Sequence, residues 1–92
     1  MNGKKLRVDF SKVFNKQLGK APLEIKIAFR ERFKLFLLNP RDPKLGNHLL
    51  QGKLKGLRSL NITGDWRTIY LEQEGGKVII FEALGTHSQL YR

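Results

Sequence analysis

Leu6-Arg7-Val8-Asp9-Phe10 alternates apolar with charged residues and predicts a first strand. Ser11 suits the cap of a short helix, in which apolar Val13, Phe14 and Leu18 recur at helical spacing before Gly19 ends it. Pro22 fits the first turn of a longer helix reaching Leu38. Along it Ile25, Ala28, Phe29, Phe33, Phe36 and Leu37 form an apolar stripe of 3.6-residue period, with Lys26, Arg30, Arg32 and Lys34 outside it. Asn39-Pro40 stops this helix, because a residue before proline avoids helical backbone angles.

The pattern then changes. Arg41 to Lys55 is broken by proline or glycine every few residues and predicts a long basic loop, a kind of segment that is often functional. Three strand patterns follow: Leu57 to Ile62, closed by the turn Thr63-Gly64-Asp65; Trp66 to Gln73; and Lys77 to Leu84. Gly75-Gly76 suits a two-residue hairpin turn between the last two, and Gly85-Thr86 lets the tail leave the sheet. Together these elements predict an α+β fold, with two N-terminal helices on one face of a small antiparallel sheet. The chain reads as one domain over residues 1–92, without internal repeats.

Composition narrows the function. With no cysteine, neither a disulfide framework nor a thiolate metal site is possible. Apolar runs are far too short for a membrane span, and Met1-Asn2-Gly3-Lys4-Lys5 has no apolar core behind it, so a cytoplasmic protein without signal peptide is expected. Net charge is +10, unevenly placed: residues 1–60 hold 15 Lys/Arg against 4 Asp/Glu, and residues 61–92 hold 3 against 4. Such a field favours a polyanion, through phosphate neutralisation and counterion release.

The candidate chemistry gathers late in the chain. Thr86-His87-Ser88-Gln89-Leu90-Tyr91-Arg92 puts an imidazole, a phenol and a guanidinium at a strand end. The only other histidine, His48, sits in the long loop, and phosphodiester cleavage uses one base and one acid. Arg58, at a strand start, can hold a phosphate at two points and stabilise developing charge. Lys53 and Lys55 suit electrostatic contact with an RNA backbone. Asp65 is either a turn residue or a carboxylate that orients an imidazole or acts as base. Tyr91 either stacks on a base, donates a proton or anchors the tail. Trp66 and Tyr70 fit sheet packing. No carboxylate cluster or His-x-x-x-His spacing points to a metal, and no phosphate-binding loop occurs, so no cofactor is expected.

Leu50-Gln51-Gly52-Lys53-Leu54-Lys55-Gly56-Leu57-Arg58, Asp65-Trp66-Arg67-Thr68-Ile69-Tyr70 and Gly85-Thr86-His87-Ser88-Gln89-Leu90-Tyr91 together resemble the RelE/ParE superfamily of bacterial toxins, and its YafQ branch most. The resemblance spans nearly the whole chain and implies a RelE-like fold whose N-terminal strand joins the sheet. It implies the toxin of a type II toxin–antitoxin pair, a ribosome-dependent mRNA endonuclease cutting in the A site, held by an antitoxin through an acidic segment. It matches His48, Asp65 and His87 to acid/base residues, with Asp65 or His48 as base and His87 as acid. Arg58 matches a basic residue after the shared glycine, and Tyr91 an aromatic position. Where the branch carries a further histidine, this chain has Asn61, which can hydrogen-bond RNA but cannot exchange a proton. Arg92 is expected to bind RNA beside Lys53, Lys55 and Asn61. Two other functions stay open: gyrase poisoning, as in ParE-like members that lack the histidine tail, and RNA binding without catalysis.

Overall fold

In the computed structural model, which describes residues 6–91, eight elements follow one another. These are β1 (Arg7–Phe10), α1 (Lys12–Lys20), α2 (Leu23–Leu38), β2 (His48–Leu49), β3 (Leu57–Asn61), β4 (Trp66–Gln73), β5 (Val78–Thr86) and α3 (His87–Leu90). The strands make one sheet of order β1-β5-β4-β3-β2. The meander β2 to β5 is antiparallel, whereas β1 lies parallel to β5, so the sheet is mixed. A parallel pair needs a long connection: the two helices carry the chain from β1 to β2 at the opposite edge of the sheet, and the meander returns to set β5 beside β1.

The helices start and stop for local reasons. Ser11 caps α1 by accepting from the Phe14 amide at 2.9 Å. Gly19 does not end α1, which runs one residue further until Ala21 adopts extended angles. Asn39 ends α2 in extended geometry, with its amide bonded to the Leu35 carbonyl. Ile25, Phe29 and Phe36 are the buried residues of α2, whereas Leu37 is exposed. One residue is a 100° step around a helix, so Leu37 turns off the stripe that Phe36 occupies. Val13 is exposed for the same reason, while Phe14 is fully buried.

The helices cover one sheet face with an aromatic cluster. Phe81 lies at its centre, with ring centroids 5.5–5.8 Å from those of Phe10, Phe14, Phe29, Phe33, Phe36 and Tyr70. Most of these pairs are tilted or edge-on, the arrangement that ring quadrupoles favour. The register of β4 on β5 shifts after Ile69, so that Ile69 faces Ala83 while Tyr70 faces Phe81. Glu82 is the extra residue of this bulge, and it brings both Phe81 and Leu84 to the covered face. Helix α1 serves the bulge's polar groups: the Ser11 hydroxyl donates to the Glu82 carbonyl, and the Gln17 side-chain oxygen accepts from the Leu84 amide.

Three connections differ from the sequence pattern. The segment 41–55 is not an unbroken loop, because His48–Leu49 adds an edge strand, with His48 opposite Ser59, and 3₁₀ turns form at Pro43–Leu45 and Gly52–Leu54. A two-residue pairing partner supplied by a distant strand leaves too short a periodicity to read locally. The β4–β5 hairpin is not closed by Gly75-Gly76 alone; a 3₁₀ turn over Glu74–Gly76 closes it, and Gln73 pairs with Val78. Gly85-Thr86 stays in β5, and Thr86 then caps α3. Met1 to Lys5 and Arg92 lie outside the described residues, and with them the expectations placed there. Among the described residues, no helix is long and apolar enough to cross a membrane.

Candidate active site

Side chains alternate between the two faces of a strand, so β3 divides its residues. Leu60 joins the core under the helices, and Arg58, opposite Tyr70, faces the same way. Ser59, opposite Ile69, and Asn61, opposite Arg67, face the other side. His48, opposite Ser59 on β2, belongs to that side too. The tail then folds across it: Thr86 and Gln89 form a reciprocal capping box at the start of α3, turning the chain within one residue of the strand. The His87 amide donates to the Asp65 carbonyl at 2.9 Å, which ties this turn to the β3–β4 corner.

The result is an open hollow of about 390 Å³ lined by Gly46, His48, Leu50, Asn61, Arg67, His87 and Tyr91. Tyr91 forms one wall. Its hydroxyl donates to the buried Ser59 hydroxyl at 2.7 Å, and its ring meets that of His87 edge-on at 4.5 Å. The phenol therefore anchors the tail and supports the imidazole. His48 Nδ1 lies 2.9 Å from the Gly46 carbonyl oxygen, which favours a proton on Nδ1 and leaves Nε2 as the basic nitrogen. Gly46 has φ +54°, a strained value for a residue with a side chain, and a Cβ there would displace the Asn61 amide from its place in the hollow. Among the described residues, no three His, Cys, Asp or Glu side chains are grouped to hold a metal ion.

Of the residues singled out in the sequence, His48, Asn61, His87 and Tyr91 meet in this hollow. Arg58 does not. Its Nε donates to Asn47 Oδ1 at 2.7 Å, and the Asn47 amide donates in turn to the Tyr70 hydroxyl at 2.8 Å and the Pro40 carbonyl at 2.9 Å. Arg58 thus fastens the segment leading into His48, from the covered face. Burial raises the Tyr70 phenol pKa above its ordinary value, opposed by the Asn47 bond and the nearby Arg58 charge. Asp65 is an exposed corner residue outside the hollow's lining, and its contact with the site is the main-chain bond to His87. Lys53 lines an adjoining hollow, and Lys55 is exposed beside it.

Arg67 lines the hollow and was missed in the sequence. Its Nη1 donates to the carbonyls of Thr63 and Gly64, both at 3.0 Å, and of Trp66 at 3.2 Å, so the guanidinium is braced at the rim of the site. The available signal was parity: Arg67 stands opposite Asn61 across a short corner, so the two share a face.

Comparison with known proteins agrees with this architecture. The family model described as a bacterial toxin of type II toxin-antitoxin system, YafQ, matches residues 6–92. YafQ from E. coli strain BL21(DE3) superposes with a TM-score of 0.80 at 25% identity, covering 96% of this chain and 100% of that one. YafQ in the E. coli DinJ–YafQ toxin–antitoxin complex gives 0.78 at 25% identity, over 96% and 99% of the two chains. A YoeB/ParE toxin from Agrobacterium tumefaciens shares the fold, with a TM-score of 0.74 at 13% identity over 89% and 99%. No curated protein matches the sequence. The chain belongs to the YafQ family of bacterial type II toxin–antitoxin toxins.

Proposed function

We propose that this toxin is an endoribonuclease that cuts mRNA in the ribosomal A site. One observation carries the reading: the chain's only two histidines, far apart in sequence, line a single hollow together with Arg67 and Asn61. In the proposed step His48 takes the proton of the RNA 2′-hydroxyl, whose oxygen attacks the adjacent phosphorus. The bond to the 5′-oxygen breaks, and His87 protonates that leaving oxygen. A 2′,3′-cyclic phosphate and a 5′-hydroxyl end result, and atoms and protons balance. His48 is preferred to Asp65 as base because the Asp65 side chain is outside the hollow's lining. Arg67, at the rim, takes the role of stabilising charge on the crowded phosphate, in place of Arg58. Asn61 hydrogen-bonds the RNA without exchanging a proton.

The basic surface supports docking against ribosomal RNA in the cytoplasm, with steep salt sensitivity. By likeness to the DinJ–YafQ complex, a cognate antitoxin is the other partner, laying an acidic segment against exposed Lys26, Arg30 and Lys34 and ordering as it binds.

The test is cell-free translation of a reporter mRNA with 3′ ends mapped, using the wild type and His87→Ala. Codon-registered cuts that need translation, and fall about 10²–10⁴-fold in the variant, are expected. A transcript left whole by the wild type would overturn the reading, as would equal cutting by both proteins. A target with 2′-deoxyribose at the cut site should resist, since the nucleophile is gone.

A further inference from the structure

The corner between β3 and β4 holds two of the site's working residues from behind. Arg67 Nη1 donates to the carbonyls of Thr63 and Gly64, and the His87 amide donates to the Asp65 carbonyl. Three successive carbonyls thus serve a guanidinium and the residue that carries an imidazole. Where those two groups stand depends on how this short segment is folded.

The segment has little stiffness of its own. Gly64 is exposed, and a Cβ there would meet nothing within 4 Å, so no packing fixes it. Asp65 is exposed as well. The corner is closed from inside by Thr63, whose Oγ1 accepts from the Trp66 amide at 3.1 Å and, more weakly, from the Asp65 amide at 3.4 Å. A hydroxyl that accepts from amides two and three residues on stands in for a backbone turn. These bonds reach further than the turn. In a trans peptide the N–H and the C=O of one plane point in opposite directions. Holding the Asp65 amide therefore aims the Gly64 carbonyl, which accepts from Arg67. Holding the Trp66 amide aims the Asp65 carbonyl, which accepts from His87.

We propose that Thr63 is a positioning residue for the cleavage reaction: its hydroxyl sets, through two peptide planes, where Arg67 and His87 stand relative to each other. Thr63 is outside the lining of the two-histidine hollow and acts only through these two residues. Its effect on cleavage rests on the nuclease reading above, whereas its hold on Arg67 and His87 does not. The reaction is sensitive to that hold, because both groups must meet one phosphate, and a misplacement of about 1 Å can cost about 10²-fold in rate.

Two measurements test it, with Thr63→Val removing the acceptor at nearly constant volume and Thr63→Ser retaining it. First, hydrogen exchange of the His87 amide and the Arg67 guanidinium signal are followed by NMR in the free protein. Faster exchange at His87 and a shifted Arg67 signal are expected in Thr63→Val, with wild-type behaviour in Thr63→Ser. Unchanged exchange at His87 in Thr63→Val overturns the proposal. Second, cleavage is timed on programmed ribosomes. The maximal rate should fall roughly 10- to 100-fold in Thr63→Val with KM little changed, and Thr63→Ser should restore it. The loss should be clearly smaller when Thr63→Val is added to Arg67→Gln, because part of it runs through that arginine. An equal fold-loss in both backgrounds is what mere destabilisation would give, and it overturns the proposal. Faster His87 exchange with no cutting by the wild type would keep the link through Thr63 and remove the nuclease reading.

Discussion

The two faces of the sheet are built on different rules. On the covered face, polar groups are committed to partners: Arg58 to Asn47, Asn47 to Tyr70, Ser11 and Gln17 to the β5 bulge. The aromatic rings there bury one another around Phe81. On the other face, His48 and His87 are exposed, and Asn61, Arg67 and Tyr91 are only half-buried around an open hollow. The lesson lies in the strand β3. Arg58 and Asn61 are separated by two residues, yet one braces the scaffold and the other lines the site.

The sharpest way to break this contrast is to attack each face and ask which property fails. Phe81→Ala should cost about 3–5 kcal/mol of unfolding free energy, a large share of the total stability of a small domain. Chemical denaturation would measure it, and a loss below 1 kcal/mol would mean that the cluster is not the keystone described.

Arginine for arginine, the faces can be compared directly. Arg67→Gln should lower mRNA cleavage about 10²–10³-fold, the size of effect seen when one group stabilising developing charge is removed. Arg58→Gln should act chiefly on stability, by about 1–3 kcal/mol, because the Asn47 and Tyr70 bonds lose their organising cation. The reverse outcome, cleavage lost in Arg58→Gln at unchanged stability, would exchange the roles assigned to the two faces.

A finer test uses pH. The Tyr70 phenol has a raised pKa in the folded protein, so folding holds its proton more tightly than the unfolded chain does. Its contribution is fully present below the ordinary phenol pKa near 10 and is lost as pH rises through the folded value. Tyr70→Phe should therefore flatten the alkaline fall in stability while costing about 1 kcal/mol near neutrality. An identical alkaline slope in variant and wild type would show that another group is responsible.

Much of the frame was legible in the chain. Ser11, Pro22 and Asn39-Pro40 mark helix limits through backbone chemistry that acts over a few residues. The β3 to β5 meander shows in its β-rich runs, and the Gly-Thr-His tail carried the family resemblance. The hairpin closure and the strand at His48 were not legible. The first turns on Glu74, which takes φ +52° although it is not glycine. The second exists because β3 offers a free edge, a fact of the assembled sheet.

The sequence by itself determined the main helices, three strands of the meander, the basic surface and the two histidines, because capping, periodicity and charge are local or additive. Only the tertiary structure decided that His48 and His87 share one hollow and that Arg67, not Arg58, stands at its rim. The physical reason is pairing. A strand residue's face is set by its partner across the sheet, and Arg58 is paired with Tyr70 while Arg67 is paired with Asn61.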